Sequence, residues 1–291
     1  MRRVAIRIGM VGLAIAVTHT PLAARQVAPP VGGERYPLAP AIQRGEGVAP
    51  FFDGAYINDD GSYTFSFGFM NRNQKQVIEI PIGADNQLTP EEFNGMQPTY
   101  FPPVRYGGFG GRRERGTFAV RVPADYEGDV VWTLSVNGKT YSVPGRTGLP
   151  AYELSYTPQA SGSLMPAVSF EEDGPTSTSR EGIVHGPLNA RVGEPLEIEF
   201  WMADRGERDP VPTAFTWWKH QGPVGSEVTF EPEDGKSEEP GGGKASSSVT
   251  FSMPGAYLLR LRVDNHTDTN DSAPGHNCCW SNGYVRVNVS D

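Results

Sequence analysis

Apolar and polar side chains alternate in segment after segment from residue 50 onward, and this restricts the chain more than any other feature. Tyr63, Phe65, Phe67 and Phe69 fall on one face of an extended chain, with Thr64, Ser66 and Gly68 on the other. The same period of two recurs from Phe118 to Val122, Val130 to Val136, Leu196 to Phe200, Tyr257 to Val263 and Val285 to Val289. Successive side chains of a strand point to opposite faces, so each run reads as a strand with one water-avoiding side. No segment shows apolar residues at the three-and-four spacing of a helical stripe.

The punctuation between these runs fits hairpins. Asp59-Asp60-Gly61 separates Ala55–Asn58 from the run at Tyr63, and Asn137-Gly138 separates Val130–Val136 from Thr140–Val143. Val77–Ile82, closed by Gly83, adds another strand, and Trp132 is placed to anchor a core. Residues 50–155 therefore supply about seven short strands, enough for one sandwich. Ala167–Phe170, Phe215 with Trp217, and Val228–Phe230 supply further strands to a second sandwich over residues 183–291. Residues 156–182 form the connection and carry the first of those strands. The fold expected is all-β: two immunoglobulin-like β-sandwich domains in tandem, after a signal peptide.

Two intervals break the rhythm. Residues 88–116 mix prolines with Arg105, Arg112, Arg113 and Arg115 among glycines. They read either as a basic binding loop or, the reading preferred here, as a long solvated crossover. Glu231–Ser247 has nothing apolar to bury and reads as a flexible loop.

The first residues have the order of a secretory signal. Arg2, Arg3 and Arg7 precede an apolar run, Ile8–Val17, that is too short to span a bilayer. Pro21-Leu22-Ala23-Ala24 then offers a cleavage site after Ala24. Residues 1–24 are thus expected to be removed and 25–49 to form a mobile leader, leaving a secreted, periplasmic or extracellular chain with no transmembrane segment. Cleavage takes away three arginines and no acids, so the net charge moves from −9 to −12. Such an acidic chain lacks the basic footprint that nucleic acid requires.

The second half resembles a known family. Arg191-Val192-Gly193-Glu194-Pro195-Leu196, Trp217 in a strand before Gly222-Pro223, and Pro254-Gly255-Ala256-Tyr257 followed by alternating apolar residues to Asp264 resemble the PKD (polycystic kidney disease) domain. The likeness covers roughly residues 165–290. It implies an extracellular module for binding, spacing or adhesion, and a Tyr257 hydroxyl that ties a sandwich corner. A long loop, Asn265–Ser281, replaces the family's short turn after the last aspartate.

That loop carries the chemistry-bearing residues. Cys278 and Cys279 are adjacent, within His276-Asn277-Cys278-Cys279-Trp280. Ordinary disulfides span Cα atoms about 4.4–6.8 Å apart, whereas neighbouring Cα atoms lie about 3.8 Å apart across a trans peptide. Three readings stay open: a strained vicinal disulfide beside Trp280, a thiolate site for copper or zinc with His276, or two reduced, buried thiols. Asp204, Glu207 and Asp209 on an earlier loop, with Asp264, Asp268 and Asp271, could hold calcium, but they follow no ligand-loop pattern and the reading preferred here is a solvated acidic turn; His266 is a further candidate ligand of the thiolate metal site. No nucleophile elbow, zinc-protease helix or phosphate loop occurs, so no catalytic residue is assigned. The expected function is that of a non-enzymatic exported module recognising a protein or carbohydrate through His276, Cys278, Cys279 and Trp280. The alternatives are a periplasmic metal-handling protein or a structural spacer of a surface assembly.

Overall fold

The alternating runs become strands, and their apolar rows meet inside two β-sandwiches. The computed structural model describes residues 43–104, 113–158, 162–265 and 279–291. The first sandwich runs through β1 (Val48–Ile57), β2 (Tyr63–Asn71), β3 (Ile78–Glu79), β4 (Asn86–Thr89), β5 (Tyr100–Phe101), β6 (Arg113–Val122), β7 (Val130–Val136), β8 (Lys139–Gly145) and β9 (Glu153–Leu154). One sheet has the order β6-β2-β1-β9, the facing sheet the order β4-β7-β8, and β3 pairs with β5. Phe67 stacks on Phe118 with ring centroids 5.3 Å apart. Trp132 meets Phe118 edge-on at 4.9 Å. Its indole N–H donates to Asn86 Oδ1 at 3.0 Å, so the one polar atom of this core anchor is satisfied. Burying each such aromatic side chain stabilises the fold by about 1.5–3 kcal/mol.

The second sandwich comprises β10 (Ala167–Ser169), β11 (Ile183–Arg191), β12 (Leu196–Ala203), β13 (Pro212–Gln221), β14 (Val228–Glu231), β15 (Asp234–Pro240), β16 (Gly242–Phe251), β17 (Gly255–Asp264) and β18 (Trp280–Ser290). Its strands follow the order β10-β12-β16-β15-β13-β17-β18-β11, with β14 also paired to β16. β15 joins the two layers at a corner, pairing with β13 on one side and touching β16 at Glu239 and Gly242 on the other. Trp217, Leu259, Leu261, Phe200 and Val285 are fully out of solvent between the layers. Trp217 lies parallel to Phe230 at 5.7 Å and donates its N–H to Ser247 Oγ. β11 runs parallel to β18, the other long pairings being antiparallel. No helix among the described residues is long and apolar enough to cross a membrane.

Several expectations need correction. Strand structure begins at Val48, two residues before the anticipated start. The strand expected over Val77–Ile82 shrinks to Ile78–Glu79, because Val77 and Ile82 face outward. The described parts of residues 88–116 hold the end of β4, a short 3-10 turn at Glu91–Phe93, β5 and the start of β6, while Arg105 and Arg112 lie outside the described residues. Glu231–Ser247 is not a loop. It forms β15 and most of β16, held by main-chain ladders to β13 and along β12 from Leu196 to Ala203. Main-chain pairing needs no apolar side chain, so composition hides these strands. Within the connection over 156–182, Tyr156 stacks on Tyr56 at 4.5 Å and Arg180 is wholly buried.

Candidate functional site

The polar rows of β2 and β17, which face away from each sandwich's own core, are also buried. On β2, Thr64 and Ser66 are out of solvent; on β17, so are Arg260, Arg262 and Asp264. Part of the cover comes from the connection, through Arg180 on Ser66, and part from across the joint. Arg260 Nη2 lies 2.8 Å from Glu114 Oε1 on β6, and Arg262 Nη1 lies 3.7 Å from the same oxygen. Asn282 on β18 donates to Gly116 O at 2.8 Å and to Arg180 O at 2.9 Å. Tyr284 donates its hydroxyl hydrogen to Thr117 O at 3.0 Å, and Arg180 donates to Ser66 Oγ at 3.1 Å. At the far side of the joint, Lys219 pairs with Glu79 at 2.7 Å and Thr99 N–H donates to His220 O. Charges held at this depth are tolerated only when paired and hydrogen-bonded.

Burial shifts the titrating groups accordingly. Loss of solvation holds the Arg180 guanidinium below its ordinary value. It also pushes the Tyr56 and Tyr284 phenols upward. It drives His220 down to about 3, against the Met96 carbonyl, which favours the charged ring. That carbonyl only accepts, so His220 Nε2 carries the hydrogen across the 2.7 Å contact.

The segment 266–278 leaves from this joint. Its two ends are closed by Asn265 N–H donating to Cys279 O at 3.2 Å and by the pairing of Asp264 with Trp280. Asp264 takes both arms of Arg262, at 2.8 and 2.7 Å. Both Arg180 and Arg262 stack their guanidinium groups on the Trp280 indole, 3.7 and 4.2 Å from its centroid. Gly116 makes that packing fit. Its φ is +56°, and a Cβ there would stand 2.7 Å from Arg180 Cδ and 2.8 Å from the indole. Within the first sandwich, Arg113 at the start of β6 pairs with Asp53 at 2.7 Å.

The residues singled out from the sequence fall as follows. His266, His276 and Cys278 lie outside the described residues. Cys279 is buried and disulfide-bonded, so it offers no thiolate to copper or zinc. Trp280 is buried and presents no ring face to solvent. Its role here is to hold the neck of the segment. Asp204 accepts from Arg208 at 2.8 Å and from Gly206 N–H, while Arg208 also reaches Asn265 O. Arg208 therefore does bring the Asp204 loop to the neck, but with its carboxylate already engaged, as is that of Asp264. Asp209 is exposed. Among the described residues no three acidic, histidine or cysteine side chains are grouped to hold a metal ion.

Sequence reasoning missed the arginine row. Arg260-x-Arg262-x-Asp264 is the visible signal: Asp264 neutralises Arg262 within the strand face, and the charge left on Arg260 calls for an acid from elsewhere, which is Glu114.

No family model matches the chain, and no curated protein sequence matches it. Among solved structures, it is similar to the D00-D0 domain of intimin, at 10% identity over 84% of this chain and 100% of that one, with a TM-score of 0.27. It is also similar to domains 4 and 5 of the S-layer protein SbsC, at 13% identity over 72% of this chain and 79% of that one, with a TM-score of 0.23. A PapD-like domain of human CEP192 shares 10% identity over 50% of this chain and 98% of its own length, with a TM-score of 0.29. Likenesses this distant lend nothing to the functional reading.

Proposed function

We propose that this chain is an exported, non-enzymatic recognition module that binds a protein or a carbohydrate through the segment 265–281. The observation that supports the reading is the neck. Asp264, Asn265, Cys279 and Trp280 are fixed by paired charges, a main-chain hydrogen bond and two stacked arginines on a scaffold of two sandwiches. A segment whose ends are rigid loses less entropy on binding, and loops on rigid β-scaffolds are where recognition concentrates. The contact residues are then His276 and the Cys278–Cys279 pair, with Trp280 acting as their buried root. The signal-like order of residues 1–24 supports export, and a disulfide at Cys279 suits an oxidising compartment.

The PKD-like character of the second sandwich belongs to the same proposal. It is supported by the Tyr257 hydroxyl, which donates to Met253 O at 2.7 Å and ties the β16–β17 corner. The Gly222-Pro223 bend directly after β13 supports it as well.

The experiment uses the full chain. Glycan-array and pull-down partners of the wild type are compared with those of a variant in which residues 266–278 are replaced by a Gly/Ser segment, and with Cys278→Ser/Cys279→Ser. The reading expects the partner set to collapse in the first and weaken in the second. An unchanged partner set in a folded replacement variant rules the segment out.

A further inference from the structure

The first sandwich carries a second place built for a ligand. We infer that the cleft between the end of β1 and the turn 146–153 binds a single neutral sugar ring, with Tyr152 as its stacking platform.

The cleft is a space of about 240 Å³ lined by Ala55, Ile57, Tyr63, Leu149 and Tyr152, with Arg146, Thr147 and Glu153 at its rim. Three of its apolar side chains are conspicuously open to water: Ile57 at 50%, Leu149 at 42% and Tyr152 at 45% exposure. Scattered single exposures need no explanation, but three converging on one concave spot of an acidic, polar surface do.

The platform is rigid. Tyr152 stacks on the core residue Phe52, with centroids 5.6 Å apart and planes 26° from parallel, and yet stays 45% exposed. Tyr152 N–H closes a turn onto Leu149 O at 2.8 Å. Gly54, at φ +145° in the bulge of β1, lets the backbone of Tyr152 come close; a Cβ there would stand 2.4 Å from Tyr152 O. An aromatic side chain held this way offers contact area with little entropy left to lose.

Chemistry selects the occupant. A pyranose ring has an apolar C–H face for Tyr152 and equatorial hydroxyls for the rim. Arg146, already paired with Asp129, keeps N–H donors to spare, Glu153 accepts, and Thr147 does either. Drug-sized ligands occupy pockets of roughly 300–1,000 Å³, so this cleft suits one ring, not a folded chain. With the Arg146 charge neutralised and a chain at net −9, acidic sugars are disfavoured. A cleft filled by an apolar peptide side chain would need none of the three rim groups.

The test is saturation-transfer NMR of the full chain with maltotetraose, cellotetraose and mannotetraose, each at about 10 mM, a range that detects weak, millimolar-class binding. The inference expects transfer to at least one of them. Tyr152→Ala should weaken it roughly tenfold, Tyr152→Phe should keep it, and Arg146→Ala, at an exposed site, should weaken it severalfold without lowering the melting temperature. No transfer from any of the three, or equal transfer to wild type and Arg146→Ala together with a folded Tyr152→Ala, overturns it. Binding of an apolar peptide but of no sugar overturns it as well. Because the site is in the first sandwich, replacement of 266–278 should leave sugar transfer intact, which separates this test from the one above.

Discussion

Arg260 of the second sandwich and Glu114 of the first meet 2.8 Å apart, with both side chains almost wholly out of solvent. An ion pair at this depth contributes little over a well-packed apolar pair, but removing one partner leaves the other charged and stranded. Glu114→Ala is therefore expected to cost about 3–5 kcal/mol, read by urea denaturation. Adding Arg260→Met should recover part of that loss. A cost near zero for the single variant would mean that the pair is solvated.

Gly116→Ala tests the packing around Trp280. The new methyl group must displace the indole or the Arg180 stem, from a backbone position that L-residues rarely adopt. The expected loss is about 1–3 kcal/mol, seen as a lower melting temperature. Near-ultraviolet dichroism from the tryptophans should change in parallel, because Trp280 has no spare room.

His220 sets a pH dependence. Its folded value of about 3 lies below the unfolded value of about 6.5, because burial disfavours the charged ring. Between those two values the unfolded chain takes up a proton that the native one refuses. The stabilising contribution is thus complete above pH about 6.5 and is lost as pH falls toward 3, by up to about 1.4 kcal/mol per pH unit. Denaturant midpoints measured from pH 7 down to 4 should fall with a shallower slope in His220→Gln than in the wild type.

The Tyr257 hydroxyl carries one hydrogen bond at a sandwich corner. Tyr257→Phe keeps the ring against Phe251, with centroids 4.8 Å apart, and removes only that bond. The expected cost is about 0.5–1.5 kcal/mol by chemical denaturation.

The rows that fill each core were legible in the sequence. Phe65, Phe67, Trp132, Leu259, Leu261 and Val287 all lie inside, where a period of two puts them. What a period of two does not reveal is whether the opposite row meets water or another protein layer. Ser66, Arg260 and Arg262 look like a solvated face in either case, and so the joint stayed hidden. β15 and β16 escaped for a different reason. Their register with β13 and β12 is written in main-chain hydrogen bonds, which leave no mark on composition. The burial of Trp280 leaves no mark on the sequence around it, because the two arginines that cover it come from residue 180 and residue 262.

The strands β2 and β17, covered on both sides, also bear on how such a chain can evolve. Many tandem modules behave as beads that recombination can shuffle one at a time. Here a cut between residues 156 and 182 would part Arg260 from Glu114 and Asn282 from Gly116, so the pair is expected to be copied, moved or lost as one gene segment.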